Sequence, residues 1–209
     1  MQIATLILAL ILLGLVGWLS TQKNSPFYQP IESYELLTPI QQVTQTEINK
    51  TIKPYLGSSF WDIPLNKIQA DLTHLDWVKS SQVKREWPNL LYISIKEQKP
   101  VARWGDSGLV NRSGEVFFPQ SIDGFKNLVK LNGSLDESEK VLRYFISLQN
   151  QFKELDLTIK SLELSPDKVW HIAFLNGPSV VLDSLNYEHK SKGIMKQLGI
   201  PNCSSELIE

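Results

Sequence analysis

The chain has 209 residues, of which 42% are hydrophobic and 21% are charged, which is the composition of an ordinary folded protein. The net charge of −1 and the sequence pI of about 6.3 argue against the basic surface that neutralises phosphates, so nucleic acid is not an expected partner. The single cysteine, Cys203, excludes an internal disulfide and a cysteine metal cluster.

The N-terminal segment is apolar, with no charged residue from Ile3 to Leu19, and its length is at the lower end of the roughly 17–25 residues that span a bilayer. We predict a transmembrane anchor over residues 1–21, which contacts the lipid bilayer through Leu6, Leu10, Leu13 and Trp18. The alternative is a cleaved signal peptide, but the bulky residues of 17–20 do not suit its cleavage site. Only Lys23 flanks the run, so the charges do not support a cytoplasmic N-terminus; a start codon placed too late would account for this.

Residues 22–30 are polar and contain two prolines, which is typical of a linker. The folded part is predicted to begin with a strand at Ile31–Leu37. A helix follows that opens with the capping-box sequence Thr44–Glu47 and ends before Gly57. A second helix is predicted at Pro64–Leu75. Apolar residues recur there at helical spacing: Leu65, Ile68, Leu72 and Leu75.

Two adjacent strands are predicted next, Val78–Glu86 and Leu90–Lys99, joined by the turn residues Pro88 and Asn89. The second strand alternates between apolar and more polar residues, which is typical of a half-buried strand. Its apolar positions are Leu91, Ile93 and Ile95. The order strand, helix, helix, strand, strand predicts an α+β domain over residues 31–100, in which two helices cover one face of a small sheet.

Residues 101–209 have the pattern of a β-rich domain with one long helix. One predicted hairpin joins Gly108–Asn111 to Glu115–Phe118, and another joins Val169–Leu175 to Ser179–Leu182. The turn of the second hairpin is predicted at Asn176-Gly177, and Pro178 leaves its type open. The helix is predicted to open with a capping box at Ser134–Glu137. Its apolar stripe consists of Val141, Phe145, Leu148 and Phe152.

No residue pattern indicates catalysis or metal binding. The sequence Gly105–Gly108, with His74 upstream, is similar to the segment around a serine protease nucleophile. The preceding region cannot supply a double barrel, so a turn is favoured. Three histidines lack metal-ligand spacing: His74, His171 and His189. Three carboxylates are predicted to complement a helix dipole: Asp136, Glu137 and Glu139. We expect no cofactor, no metal ion and no small-molecule substrate.

Five tryptophans beyond the apolar segment could be core anchors or interface residues, and burial in the core is the default expectation. They are Trp61, Trp77, Trp87, Trp104 and Trp170. Val83 and Arg85, on the strand before the Trp87-Pro88 turn, are better candidates for partner contact. If this strand lies at a sheet edge, its free backbone groups can pair with a strand of another protein.

Part of the chain resembles a known family signature. The sequence from Asp76 to Asn89 contains Trp-Val and closes with Arg-x-Trp-Pro-Asn, and the sequence from Ile93 to Trp104 ends in Glu-x-x-Pro-x-Ala-Arg-Trp. A Val-x-x-x-Gly-x-x-Phe pattern follows at Val110, Gly114 and Phe117. This combination resembles the signature of the bacterial FtsQ/DivIB family.

The resemblance implies a transmembrane helix, a POTRA domain over residues 31–100 and an FtsQ-type β-domain over residues 101–209. It also implies a single-pass type II protein of the bacterial inner membrane, with most of the chain in the periplasm. There it would act at the division septum as a non-enzymatic scaffold that links early and late division proteins. The implied partners are divisome membrane proteins such as FtsB and FtsL. The residues assigned to partner binding are Val83, Arg85, Trp87, Lys168, Trp170, Val180 and Leu182.

The resemblance weakens toward the C-terminus. Trp170–Leu182 is similar to the family's Trp-x-[Leu/Ile] strand and hairpin, and a helix predicted at about Tyr187–Leu198 is the last matched element. No Asp-Leu-Arg-Tyr-type strand follows Gly199. The resemblance implies that the distal strands receive FtsB by strand addition. A divergent or truncated end at Ile200–Glu209 would therefore move or remove that docking edge.

Two other functions remain as alternatives. A POTRA-bearing outer-membrane assembly or secretion factor would have tandem POTRA units and long runs of barrel strands, whereas this sequence has one such unit. A membrane-tethered hydrolase would depend on Ser107.

Overall fold

The computed structural model describes residues 2–21, 30–153, 157–177 and 179–183. The chain divides into two compact units, the first up to Gln98 and the second from Lys99. Several predicted features lie outside the described residues: most of the linker 22–30, Pro178, the helix at about Tyr187–Leu198, His189, Gly199, Cys203 and the segment Ile200–Glu209.

The first helix, α1, is Gln2–Thr21. Side chains are described for Thr5 and for residues 7–18 of this helix, and all of them are exposed, including Leu10, Leu13 and Trp18. The side chain of Leu6 lies outside the described set. Within the described residues, no helix is long and apolar enough to cross a membrane.

The rest of the first unit follows the predicted order of elements. These are β1 Ser33–Leu36, α2 Gln45–Ile52, α3 Leu65–Thr73, β2 Val78–Glu86 and β3 Leu90–Glu97. The capping box at Thr44 is confirmed, because its hydroxyl accepts from the Glu47 N–H while the Glu47 carboxylate accepts from the Thr44 N–H. A 3-10 turn at Lys53–Tyr55 extends α2, and Gly57 then takes a φ of +88° that favours glycine.

The sheet of the first unit has the order β1-β3-β2. β1 runs parallel to β3, with Tyr34 opposite Leu91, and β2 runs antiparallel to β3, with Val83 opposite Ile93. The two helices bury their apolar stripes against the strands, as the helical spacing predicted. The centre of this core consists of Ile48, Ile52, Ile68, Leu72, Val83, Leu91, Ile93 and Ile95.

The second unit is a seven-stranded sheet with one long helix. Its elements are β4 Pro100–Trp104, β5 Gly108–Asn111, β6 Val116–Phe117, β7 Lys130–Asn132, α4 Ser138–Lys153, β8 Ile159–Leu164, β9 Val169–Phe174 and β10 Ser179–Asp183. The strand order is β10-β9-β8-β7-β4-β5-β6, and β7 runs parallel to both of its neighbours. The predicted α+β class with a β-rich second part is confirmed, whereas β4, β7 and β8 were not predicted as separate strands.

The long helix α4 packs through the predicted stripe, in which Val141, Leu148 and Phe152 are buried. The ring of Phe152 meets that of Phe174 edge-on at 5.1 Å between centroids, and Tyr144 lies 4.3 Å from Trp170. These ring contacts join the helix to β9. They hold the strand that supports the edge strand β10.

The predicted capping box at Ser134 is wrong. Ser134 makes no side-chain capping hydrogen bond, and Leu135–Glu137 form a 3-10 turn, so α4 begins at Ser138. The Glu137 carboxylate accepts instead from Lys168 and Lys140, at 2.7 and 3.3 Å. The Glu137 carboxylate is thus engaged by two lysines and not by the cap of α4.

Candidate partner-binding edges

Two strands that carry predicted partner-binding residues lie at sheet edges. β2 is at one edge of the first sheet and β10 is at one edge of the second. Among the described residues, no strand pairs with the outer side of either strand. An edge of this kind presents unpaired N–H and C=O groups that can accept a strand from another protein.

The predicted residues on the β2 edge have three different environments. Val83 is buried in the core, so only its backbone is available to a partner. The Arg85 Nη2 donates to the carbonyl oxygens of Trp61 and Ile63, at 3.2 and 3.1 Å. The Arg85 Nε is buried without a hydrogen-bond partner among the described residues. Trp87 is 68% exposed, and it is the member of this group whose side chain can contact a partner directly.

The predicted residues on the second edge mostly point inward. Trp170, Val180 and Leu182 are buried, and Leu182 lies opposite Trp170 across the pair of β10 with β9. Between Val180 and Leu182, Val181 is 61% exposed. The inward residues fix the register of β10, because a slip by one residue would expose them. A partner would therefore meet the β10 backbone and outward residues such as Val181, which the sequence reasoning did not select.

Lys168 has a structural partner. It has a φ of +64° in the turn before β9, and its Nζ lies 2.7 Å from the Glu137 carboxylate. This hydrogen bond is the main cause that lowers the pKa of Glu137 below its usual value. Lys168 therefore links the β8–β9 turn to the start of α4.

The expectation that the tryptophans are in the core is right for some of them and wrong for others. Trp104 and Trp170 are buried, and Trp77 packs partly buried against the first core. Trp61 and Trp87 are 61% and 68% exposed. Trp61 lies in the turn before α3 and Trp87 in the turn between β2 and β3, where helical or strand periodicity no longer fixes the direction of a side chain.

The residues weighed for catalysis have other roles. Gly105–Ser107 form the turn between β4 and β5, and the Asp106 carboxylate lies 2.6 Å from the Lys130 Nζ, which lowers the Asp106 pKa. The His74 Nδ1 lies 2.7 Å from the carbonyl oxygen of Ala70, one helical turn earlier. In the part of the chain that the structure describes, no group of three or more potential metal ligands comes together.

Comparison with protein families matches both units. The model for the POTRA domain of FtsQ type matches residues 35–98, and the model for the C-terminal part of cell division protein FtsQ/DivIB matches residues 102–197. The two matches meet near the division between the units after Gln98. Each unit therefore has its own counterpart in one family, in the same order along the chain.

Comparison with individual proteins also identifies cell division proteins as relatives of this chain. The chain is 26% identical over 161 residues to a cell division protein FtsQ of Methylomonas methanica, which covers 77% of this chain and 65% of the relative. It is 31% identical over 167 residues to that of Shewanella oneidensis, covering 80% of this chain and 63% of the relative. A third relative, from Coxiella burnetii, is 27% identical over 175 residues. The chain thus spans somewhat less than two thirds of the length of the first two relatives. It belongs to the FtsQ/DivIB family of cell division proteins.

Proposed function

We propose that the chain is a membrane-anchored scaffold of the bacterial division machinery, which links early and late division proteins at the septum by protein–protein binding. The family supports this proposal, since the relatives carry the name cell division protein FtsQ. The observation that carries it is the open edge of the second unit, where β10 pairs with β9 alone among the described strands. Such an edge is suited to binding a chain rather than to transforming a small molecule.

The proposal assigns residues 1–21 to the membrane anchor, 22–30 to a linker, 31–100 to the POTRA domain and 101–209 to the β-domain. The anchor is supported by the absence of charged residues in Gln2–Thr21 and by the exposure of Leu10, Leu13 and Trp18. We place the protein in the inner membrane in type II orientation, with the two domains in the periplasm. Extraction of membranes at alkaline pH tests the anchor, because an integral protein stays with the lipid.

The proposed partners are the membrane proteins FtsB and FtsL, with a strand of FtsB added to β10. Main-chain hydrogen bonds supply affinity in this mode, and outward side chains supply specificity. Val180 and Leu182 hold β10 on the core, which leaves the alternate position, Val181, toward the outside. A strand that is fixed in register offers a partner a preformed template, so less ordering entropy is lost on binding.

Val181→Lys tests the docking edge, because it puts a charge on an exposed side chain without removing a core contact. The matched control is Leu175→Lys, which makes a similar change at a turn residue that is 60% exposed. We expect the first variant to lose copurification with FtsB and FtsL and the control to keep it. If Val181→Lys binds as well as the control does, the β10 edge is not the docking site.

A depletion experiment tests the wider role. We expect cells without the protein to form filaments, and we expect the tagged full chain to concentrate at midcell. Normal division after depletion, together with tagged protein that is spread evenly around the cell, would overturn the scaffold proposal.

A further inference from the structure

Two exposed tryptophans mark one end of the first unit. Trp61 and Trp87 expose well over half of their surface, although both belong to a folded domain with a filled core. An indole combines a large apolar ring with one N–H donor, and tryptophan is accordingly enriched where hydrocarbon meets water at membrane surfaces. We call Trp61 and Trp87 the tryptophan pair.

Both members of the tryptophan pair lie at the same end of the sheet. Glu32, just before β1, donates its N–H to the carbonyl oxygen of Asn89, just before β3, at 2.9 Å. Trp87 follows the last residue of β2 at this same end. Arg85 joins Trp61 to it, since its guanidinium donates to the Trp61 carbonyl oxygen at 3.2 Å.

This is also the end at which the chain enters the folded domain. Pro30 forms an isolated bridge with Ser59, and the Ile31 N–H donates to the Ser58 carbonyl oxygen at 2.9 Å. Eight residues, 22–29, lie between the end of α1 and Pro30. Even fully extended, nine residue steps span at most about 32 Å. The Pro30 end of the sheet therefore stays within about 32 Å of the end of α1.

The opposite end of the sheet provides an internal reference. Trp77 lies there, and its carbonyl oxygen accepts from the N–H of Gln98, the last residue of the unit, at 2.8 Å. Ten residue steps along β2 separate Trp77 from Trp87, which is about 33 Å in a strand. If β2 points away from a bilayer that touches the tryptophan pair, Trp77 lies about 33 Å from that surface.

The charges around the tryptophan pair are mixed. Glu32, Asp62 and Glu86 lie near the Pro30 end together with Lys84 and Arg85, and the Arg85 guanidinium is already engaged by backbone carbonyls. Attraction to anionic headgroups would therefore be weak. An indole contact needs no such attraction, so it should withstand salt.

We propose that Trp61 and Trp87 rest in the headgroup region of the bilayer that holds residues 1–21, so that the Pro30 end of the POTRA domain faces the lipid. This inference rests on the proposed membrane anchor. The ring of Phe60 meets that of Trp61 edge-on at 5.1 Å, which holds one indole in place before any lipid is present. A preorganised contact of this kind restrains the domain on its short linker at little cost in entropy.

The test uses the full chain labelled with 5-fluorotryptophan, in nanodiscs of phosphatidylcholine that contain a lipid with a headgroup spin label. Each of the six ¹⁹F signals is assigned by a single Trp→Phe substitution. We expect the spin label to abolish the signals of Trp18, Trp61 and Trp87 and to spare that of Trp77. The loss should persist at about 1 M NaCl, where the Debye length is about 3 Å.

The outcomes separate the two proposals. Loss of the Trp18 signal alone would overturn the tryptophan contact and leave the membrane anchor standing. Retention of the Trp18 signal would overturn the anchor and the inference built on it. Equal loss of the Trp77 and Trp87 signals would mean that β2 runs along the bilayer surface, which contradicts the proposed orientation. Recovery of the Trp61 and Trp87 signals at high salt would show that electrostatic attraction, and not the indole rings, holds the domain at the bilayer.

Discussion

The Glu97 carboxylate holds the loop that leads into α2, and its removal tests how the first unit is built. Its Oε1 accepts from the backbone N–H groups of Gln41, Gln42 and Val43 at 3.0, 2.9 and 2.8 Å. Its Oε2 lies 3.1 Å from the same Gln41 nitrogen. Val43 is only 4% exposed, so water cannot readily replace the carboxylate at this amide.

The size of the effect follows from these contacts. A hydrogen bond to a charged group contributes about 1.5–3 kcal/mol, and the exposed amides of Gln41 and Gln42 regain part of theirs from water. We therefore expect Glu97→Ala to lower the free energy of unfolding of the first unit by about 2–3 kcal/mol. Glu97→Gln should cost less, because its amide oxygen still accepts although the charge is lost.

Urea unfolding of the full chain measures the loss, and hydrogen exchange of the Val43 amide locates it. The control is Glu86→Ala, which removes an exposed carboxylate from β2 and should change the stability by no more than about 0.5 kcal/mol. If Glu97→Ala matched the control in both measurements, the carboxylate would not be holding the loop.

Two further predictions concern the hydrogen bond between Tyr55 and Asp71 and the close contact of Gly114 with Glu139. The hydrogen bond to Asp71 raises the pKa of Tyr55 to about 12, so its stabilisation is complete below the unfolded pKa of about 10 and is lost as the pH rises through 12. Tyr55→Phe should therefore flatten the fall in unfolding free energy over that window in urea titrations, and an unchanged slope would contradict this. A Cβ at Gly114, whose φ is +81°, would lie 2.6 Å from the Glu139 Cα, so Gly114→Ala should cost about 2–4 kcal/mol. Gly124→Ala meets nothing within 4 Å and serves as its control in thermal unfolding, where equal midpoints would refute the steric argument.

The elements that sequence predicted well are those with a local period. Val78–Glu86 was predicted with the bounds that the structure has, and the stripe of α4 is buried where the helical spacing placed it. The strands that sequence missed have no comparable signal. β7 is three residues long and pairs in parallel with β4 and β8, which are distant in sequence. A strand this short is fixed by its neighbours rather than by its own pattern.

The roles of single side chains were harder to predict for the same reason. Glu97 belongs to the Glu-x-x-Pro pattern that led to the family, but its partners lie 54–56 residues earlier in the chain. The failed capping box at Ser134 has a similar cause, because Lys168 reaches Glu137 from 31 residues later. Local sequence indicates a nearby partner, whereas the tertiary fold can supply another partner from a distant part of the chain.

The two open edges differ in how readily they would accept a strand. Lysines and other charges on an edge strand hinder pairing with another chain, and β2 ends in Lys84, Arg85 and Glu86. β10 begins with four uncharged residues, 179–182, and reaches a charge only at Asp183. The bulge between Val78 and Ser80 also disturbs β2 at its other end. On these grounds we expect β2 to resist pairing with another chain and β10 to be the better template for a partner's strand.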